Sequence, residues 1–349
     1  MRLEKRESTP RWLQAAAPLG SLCLAFAAVS ALFAASGVSP AEAVKVIFAS
    51  SLGSSYGLSE TVVKATPLLL MGEGLVLSFT AGVWNIGCEG QLLAGAVAAT
   101  WVALYSGLGG VPGLLLMFVA GAAAGAAWAL IPAALKAKMD ANEVIVTLML
   151  NYVAEKVVEH LIYGPWRGAS EWGFPYTDEF PRWAQLPTLG ATRIHIPTLA
   201  LALASVPLVY WVLSRSKLGF ELKVYGSSES AAEYAGVSKA RVVLACLCVS
   251  GMLAGLAGVG EVAGIHHRLR YPRGVSCGYG YTAIIVAWLG RLNPVLTVLS
   301  ALFLGSLLVG GDAIQVKLGL PRGVVDVFNG MILLSLLVGE VVSRYRVVR

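Results

Sequence analysis

Apolar residues run almost unbroken for bilayer-crossing lengths along most of this chain, and polar residues collect in short separators between the runs. A membrane-crossing helix takes roughly 20 predominantly apolar residues. Such runs lie at 15–36, 61–80, 85–105, 111–135, 143–163, 197–213, 242–264, 277–289, 294–310 and 323–342. The eighth is too short to cross as one full helix. The pattern predicts an all-α, polytopic membrane protein of about ten transmembrane helices.

The separator at 164–196 is rich in proline and aromatics and divides the runs into two groups of five. The reading is a first half at 1–163, an extracytoplasmic loop at 164–196 and a second half at 197–349. An odd number of spans per half turns the halves over relative to each other, the arrangement of inverted-topology repeats. The third run of each half opens on glycine punctuation: Gly87-Cys88-Glu89-Gly90 in one, Gly278-Tyr279-Gly280 in the other. Hydrocarbon cannot satisfy exposed amides, so irregular backbone at membrane depth survives only against protein or a water-filled cavity. Paired interruptions therefore point to a solute pathway, with close helix packing at small residues as the alternative.

Composition agrees: 57% of residues are apolar and 13% charged, against about 25% charged in an ordinary soluble domain. With both termini in the cytoplasm, the inner segments hold 15 Lys and Arg and the outer segments 9, the bias expected of cytoplasmic loops. Arg268, Arg270 and Arg273 stand against that trend. The positive excess is what topology demands, so no nucleic-acid partner is implied. The basic start followed by an apolar run reads as an uncleaved first helix rather than a secretory signal. Cys23, Cys88, Cys246, Cys248 and Cys277 have neither metal nor redox spacing. His266 and His267 lack the companions of a metal site. No segment fits the phosphate-loop pattern Gly-x-x-x-x-Gly-Lys-Ser/Thr, so any ATP use belongs to another chain.

Ionisable groups inside a span are functional candidates by default, which singles out Glu73, Glu89 and Glu261, each with a bracing role as the alternative. Asn85 and Gln91 offer both donors and acceptors. Trp84 and Trp288 flank the two interruptions and could stack on a planar ring or anchor at the interface. Tyr279 lies inside the second interruption. The longest cytoplasmic connection, 214–241, holds a short helix predicted over 227–236, with Ser228 as N-cap and Gly236 as stop. Its Glu229, Ala231, Ala232, Glu233 and Gly236 are candidates for contact with a partner beneath the membrane.

These motifs together resemble the permease subunits of ATP-binding-cassette importers, in the branch that includes nucleoside, simple-sugar and branched-chain amino-acid permeases. Asn85-Ile86-Gly87-Cys88-Glu89-Gly90-Gln91 is similar to that branch's asparagine-isoleucine-glycine-x-glutamate-glycine-glutamine signature. The run from Asn142 to Tyr152 is similar to the start of the fifth span in nucleoside-type members. Ala231-Ala232 with Gly236 falls at the ATPase-docking motif, and Gly278 to Ala287 with Leu289 to Pro294 matches the later signature. The resemblance covers residue 60 to the C-terminus. Gly72-Glu73-Gly74 departs from the apolar second span expected of the family.

The resemblance implies a multi-pass subunit of the bacterial cytoplasmic (inner) membrane with no catalytic residues, metal or cofactor of its own. ATP and magnesium would sit on a separate cytoplasmic ATPase chain. Further partners would be a second permease, identical or paralogous, and an extracytoplasmic solute-binding protein. The expected solute is a purine nucleoside, with riboflavin or a simple sugar as alternatives. An ATP-independent secondary transporter is the reading from a different class, and a membrane enzyme is disfavoured by the want of acidic or histidine clusters at one face.

Overall fold

The computed structural model describes residues 2–5, 20, 23, 27, 29–34, 36–169 and 173–348. Most of the apolar run at 15–36, with Arg6, Arg11 and Arg349, lies outside the described residues. The remaining nine runs are all helical. In chain order the helices are α1 (Pro40–Ser51), α2 (Ser55–Thr80), α3 (Cys88–Tyr105), α4 (Gly110–Met139), α5 (Glu143–Tyr163), α6 (Ile196–Arg215), α7 (Lys217–Ser227), α8 (Glu229–Tyr234), α9 (Lys239–Gly260), α10 (Pro272–Ser276), α11 (Tyr279–Leu289), α12 (Pro294–Leu318) and α13 (Arg322–Arg344). Among them α2, α4, α6, α12 and α9 with its continuation to His266 are long and apolar enough to cross a membrane. At 11 residues α11 is a half-length helix, as the short eighth run predicts. The chain ends form a small antiparallel ribbon, Arg2–Lys5 against Tyr345–Val348.

The chain forms two compact units, residues 1–64 with 302–349, and residues 65–301. In the first, Phe33 stacks on Phe328 with ring centroids 5.7 Å apart. Ile47 occupies the space a Cβ at Gly310 would need. Lys64 Nζ meets the Asp312 carboxylate at 2.6 Å, which gives a charge on a long apolar helix a partner.

The second unit is built on a close crossing of α3, α4 and α9. A Cβ on Gly255 would overlap the Gly121 carbonyl oxygen, one on Gly125 the Gly251 oxygen, and one on Gly95 the Gly255 oxygen. The three backbones therefore touch directly. Inside lipid, where burial of apolar surface does not drive association, this close packing is what holds helices together. Past Gly260 the helix widens into a π-turn, Glu261–His266, which ends at His267 in the left-handed region with φ 53°.

The loop at 173–195 lies across that π-turn. Thr177 N–H donates to Leu269 O at 3.0 Å, Phe180 N–H to His267 O at 2.7 Å and Leu186 N–H to Ala263 O at 2.9 Å. Two of the three arginines that oppose the charge bias, Arg268 and Arg270, sit here. Arg268 reaches Glu179 at 3.5 Å and the Arg270 guanidinium lies 5.3 Å from the centre of the Tyr176 ring. They are held by this loop, which accounts for two of the three.

Candidate functional site

The chain leaves α2 at Thr80, runs extended through Val83–Ile86 and re-enters helix at Cys88. Asn85 holds that break in shape. Its Nδ2 donates to Gln91 Oε1 at 3.0 Å and Ser250 Oγ at 2.9 Å, while its Oδ1 accepts from Gly87 N–H at 2.9 Å and Gln91 Nε2 at 3.1 Å. The Asn85–Gln91 amide pair is reciprocal, fully buried and anchored to α9 through Ser250. Helix α5 braces the same segment. Thr147 Oγ1 accepts from Ile86 N–H at 3.3 Å, and Asn151 spans the break, accepting from Gly90 N–H at 2.9 Å and donating to Ile86 O at 2.8 Å. Backbone groups freed by the interruption thus find partners.

The two interruptions meet. Glu89, in the first turn of α3, accepts the N–H of Gly280 in the first turn of α11 at 2.7 Å. A carboxylate at helix N-termini is favoured by unsatisfied N–H groups and the helix dipole. Only glycine permits this approach, since a Cβ at Gly280 would overlap the Glu89 backbone. Cys277 and Gly278, both at positive φ (48° and 74°), turn the chain into α11. Asn151 Nδ2 also donates to Tyr281 Oη at 3.2 Å, so α3, α5 and α11 share one polar junction.

Trp84, Trp288 and Phe79 form an aromatic cluster beside it, with centroid distances of 5.1, 5.2 and 5.6 Å. Trp84 is 41% exposed and Trp288 buried. The other sequence candidates, Glu73, Asn85, Glu89, Gln91, Glu261 and Tyr279, are buried. Glu261 lies with its Oε2 3.8 Å from His266 Nε2 in the π-turn. Glu73 is fully buried, and among the described residues neither of its carboxylate oxygens has a hydrogen-bond partner. A buried polar group without a hydrogen-bond partner costs about 1–3 kcal/mol. Replacing Glu73 with methionine, which leaves no polar atom to go unpaired, is expected to raise the melting temperature of the purified protein by about 3 °C and to lower solute uptake. Full uptake by Glu73→Met would show that the carboxyl serves no step of the cycle.

Beside the break, where Gly226 of α7 touches the Thr80 and Ala81 backbone, α8 forms with Ser228 as its N-cap, Oγ accepting from Ala231 N–H at 3.2 Å. Gly236 ends it at φ 76°, and Ala232 is its buried side. Ala231 and Glu233 point outward, and so does Tyr234, 97% exposed. Tyr234 is not among the sequence candidates, although an aromatic within the segment that resembles a docking motif is signal enough.

An ion-pair chain joins α8 to the break. Tyr225 Oη donates to Glu229 at 2.9 Å, and Glu229 also pairs with Lys239. Lys239 reaches Asp140 at 3.0 Å, Lys136 lies between Asp140 at 2.9 Å and Glu143 at 3.3 Å, and Glu143 accepts from Trp84 N–H at 3.5 Å. Lys136 first and Lys239 second hold the Asp140 carboxyl down at about 2. Lys239 likewise lowers Glu229. A depressed carboxylate pKa contributes above its unfolded value and is lost as pH falls through the folded one, so the Asp140 link stays intact through neutral and mildly acidic pH. Spacing along the chain shows only the Lys136–Asp140 pair, at i and i+4; Lys239 joins from a second connection about a hundred positions on, which no local pattern reports.

Residues 57–337 match the family described as branched-chain amino acid transport system / permease component. The chain belongs to this permease family. The permease is 39% identical to the glucose ABC transporter permease protein TsgB13 of Haloferax volcanii, over 99% of this chain and 93% of that one. It is 32% identical to the guanosine ABC transporter permease protein NupP of Bacillus subtilis, covering 91% of each. The putative glucose ABC transporter permease protein TsgC13 of the same Haloferax is 30% identical over 74% of this chain and 77% of that one. The permease is thus an ABC importer subunit of the membrane, not an enzyme, and ATP hydrolysis belongs to a separate chain. Two relatives in one organism imply that such permeases work with a second permease chain.

Proposed function

We propose that this permease forms half of the membrane passage of an ATP-driven importer whose solute is a purine nucleoside. The single observation carrying the solute is Trp84, an exposed indole packed on Trp288 and Phe79 beside the junction of the two interruptions. Such a surface suits a planar base. A simple sugar is the second reading, favoured by the 39% identity to the glucose permease. In either case Asn85, Gln91 and Glu89 keep the broken helices in register from behind, and Trp84 is the face the solute meets.

The cycle follows from the ion-pair chain. An ATPase docks on Ala231, Glu233, Tyr234 and Gly236. Movement of α8 pulls on Lys239, and Asp140, Lys136 and Glu143 carry the displacement to the backbone at Trp84. A solute-binding protein delivers cargo to the opposite face, where the loop over 173–195 lies, with both termini on the ATPase side. The clusters respect that orientation. Each residue of the ion-pair chain and α8 falls on the side read as cytoplasmic, and Glu179, Arg268 and Arg270 fall on the other.

Uptake of labelled guanosine, glucose and riboflavin into vesicles holding the complete complex tests the solute. Guanosine is expected to enter and to be outcompeted by unlabelled nucleosides. Inhibition of uptake by a branched-chain amino acid alone would overturn the solute while leaving the permease assignment in place.

A further inference from the structure

Helix α5 carries charge where a lipid-facing span should have none. Tyr152, Glu155, Lys156 and Glu159 fall at i, i+3, i+4 and i+7, one face of the helix. Tyr152 is 54% exposed, the Lys156 side chain 72% exposed, and Glu155 and Glu159 are half-buried. A 21-residue helix is about 31 Å long, and Glu155 stands eight residues, about 12 Å, from its outer end. That is inside a hydrocarbon layer about 30 Å thick. Ionisable side chains at such depth face the protein interior or water rather than lipid.

The same helix has a second face that does suit lipid. Val153 and Val157 are exposed, and Val157 borders an apolar groove of about 610 Å³ walled by Leu93, Trp101, Ala124, Trp128 and Leu161. The polar face turns toward the junction instead. Tyr152 and Glu155 lie within electrostatic reach of Tyr281, and Lys156 within reach of Tyr271. Asn151, next in sequence, binds both Tyr281 and the break. An apolar helix laid over this face would strip water from Glu155 and Lys156 with nothing in return.

We propose that Tyr152, Glu155, Lys156 and Glu159, with Tyr281, form a wall of the water-filled solute passage through the outer half of the membrane. Lys156 meets Glu159 at 2.6 Å, so one carboxylate of the pair is balanced and the wall keeps one negative charge at Glu155. Such a wall repels anions and hydrogen-bonds neutral hydroxyls. It takes a neutral ring bearing hydroxyls, the part that a nucleoside and a hexose share, and rejects nucleotides. This deepens the solute reading above and rests on it.

Single cysteines at Tyr152, Glu155, Lys156, Val153 and Val157 test the wall in right-side-out membrane vesicles holding the complete importer. Cys23, Cys248 and Cys277 are first replaced by alanine, and the buried Cys88 and Cys246 stay. A charged methanethiosulfonate that cannot cross the membrane is applied from outside. Because the hydrated thiolate is the reacting species, labelling at 152, 155 and 156 is expected about tenfold faster than at 153 and 157. Guanosine or glucose should slow it, and guanosine monophosphate should not. If Glu155→Cys fails to reach the membrane, Tyr152→Cys and Lys156→Cys, both at exposed positions, carry the comparison. Equal, slow labelling at all positions with ATP absent and with the ATPase trapped by vanadate would overturn the wall. Fast labelling of the polar face that neither guanosine nor glucose slows supports the wall and places the failure in the solute.

Discussion

Gly255→Leu is expected to leave almost no folded permease in the membrane. The leucine Cβ would overlap the Gly121 carbonyl oxygen, and the neighbouring Gly125 backbone blocks the alternative direction. Relief requires α4 and α9 to move apart, which breaks the contacts of Gly95 and Gly125 at the same crossing. Overpacking of flexible side chains costs about 1–3 kcal/mol, but here the obstacle is backbone, and a loss of about 4 kcal/mol or more follows. The measurement is the amount of monodisperse protein extracted from membranes. Gly323→Leu is the control, since a Cβ there meets nothing within 4 Å. Wild-type yield from Gly255→Leu would mean that the helices do not cross at this point.

Tyr234→Ala is expected to do the opposite: full expression and stability, with ATPase association weakened. At 97% exposure Tyr234 adds nothing to the interior. Exposed tyrosines at interface centres are frequent hot spots, and truncating one costs about 2 kcal/mol, or about thirtyfold in affinity. Affinity of the purified ATPase for permease in lipid nanodiscs gives the answer directly. Unaltered affinity together with normal uptake would remove α8 from the docking surface.

Local features of this structure were legible in the sequence and distant ones were not. The break at 85–91 announces itself because Asn, Glu and Gln between apolar runs need polar partners at that depth. The cap at Ser228 and the stop at Gly236 follow from short-range backbone chemistry. The half-length of α11 follows from counting apolar residues. The Glu89–Gly280 contact joins residues 191 positions apart, and no spacing rule reports it. Trp84 and Trp288 could be recognised as flanking the interruptions, but not as packing against each other. Glu155, Lys156 and Glu159 lie inside the fifth run, where run length alone hides a charged face and only their spacing of three and four reveals it. The two compact units do not follow the two five-run halves, since repeat symmetry is a property of chain order and compactness a property of packing.

The outer loop has a further meaning for divergence among relatives. It is fastened to the π-turn and the segment after it mainly by main-chain atoms, at Thr177, Phe180 and Leu186. Main-chain bonds do not depend on which side chain a position carries. Natural variation can therefore rewrite the loop's outward side chains to fit a different delivery protein while the loop itself stays where it is. A lineage can change its supplier in this way without rebuilding its gate.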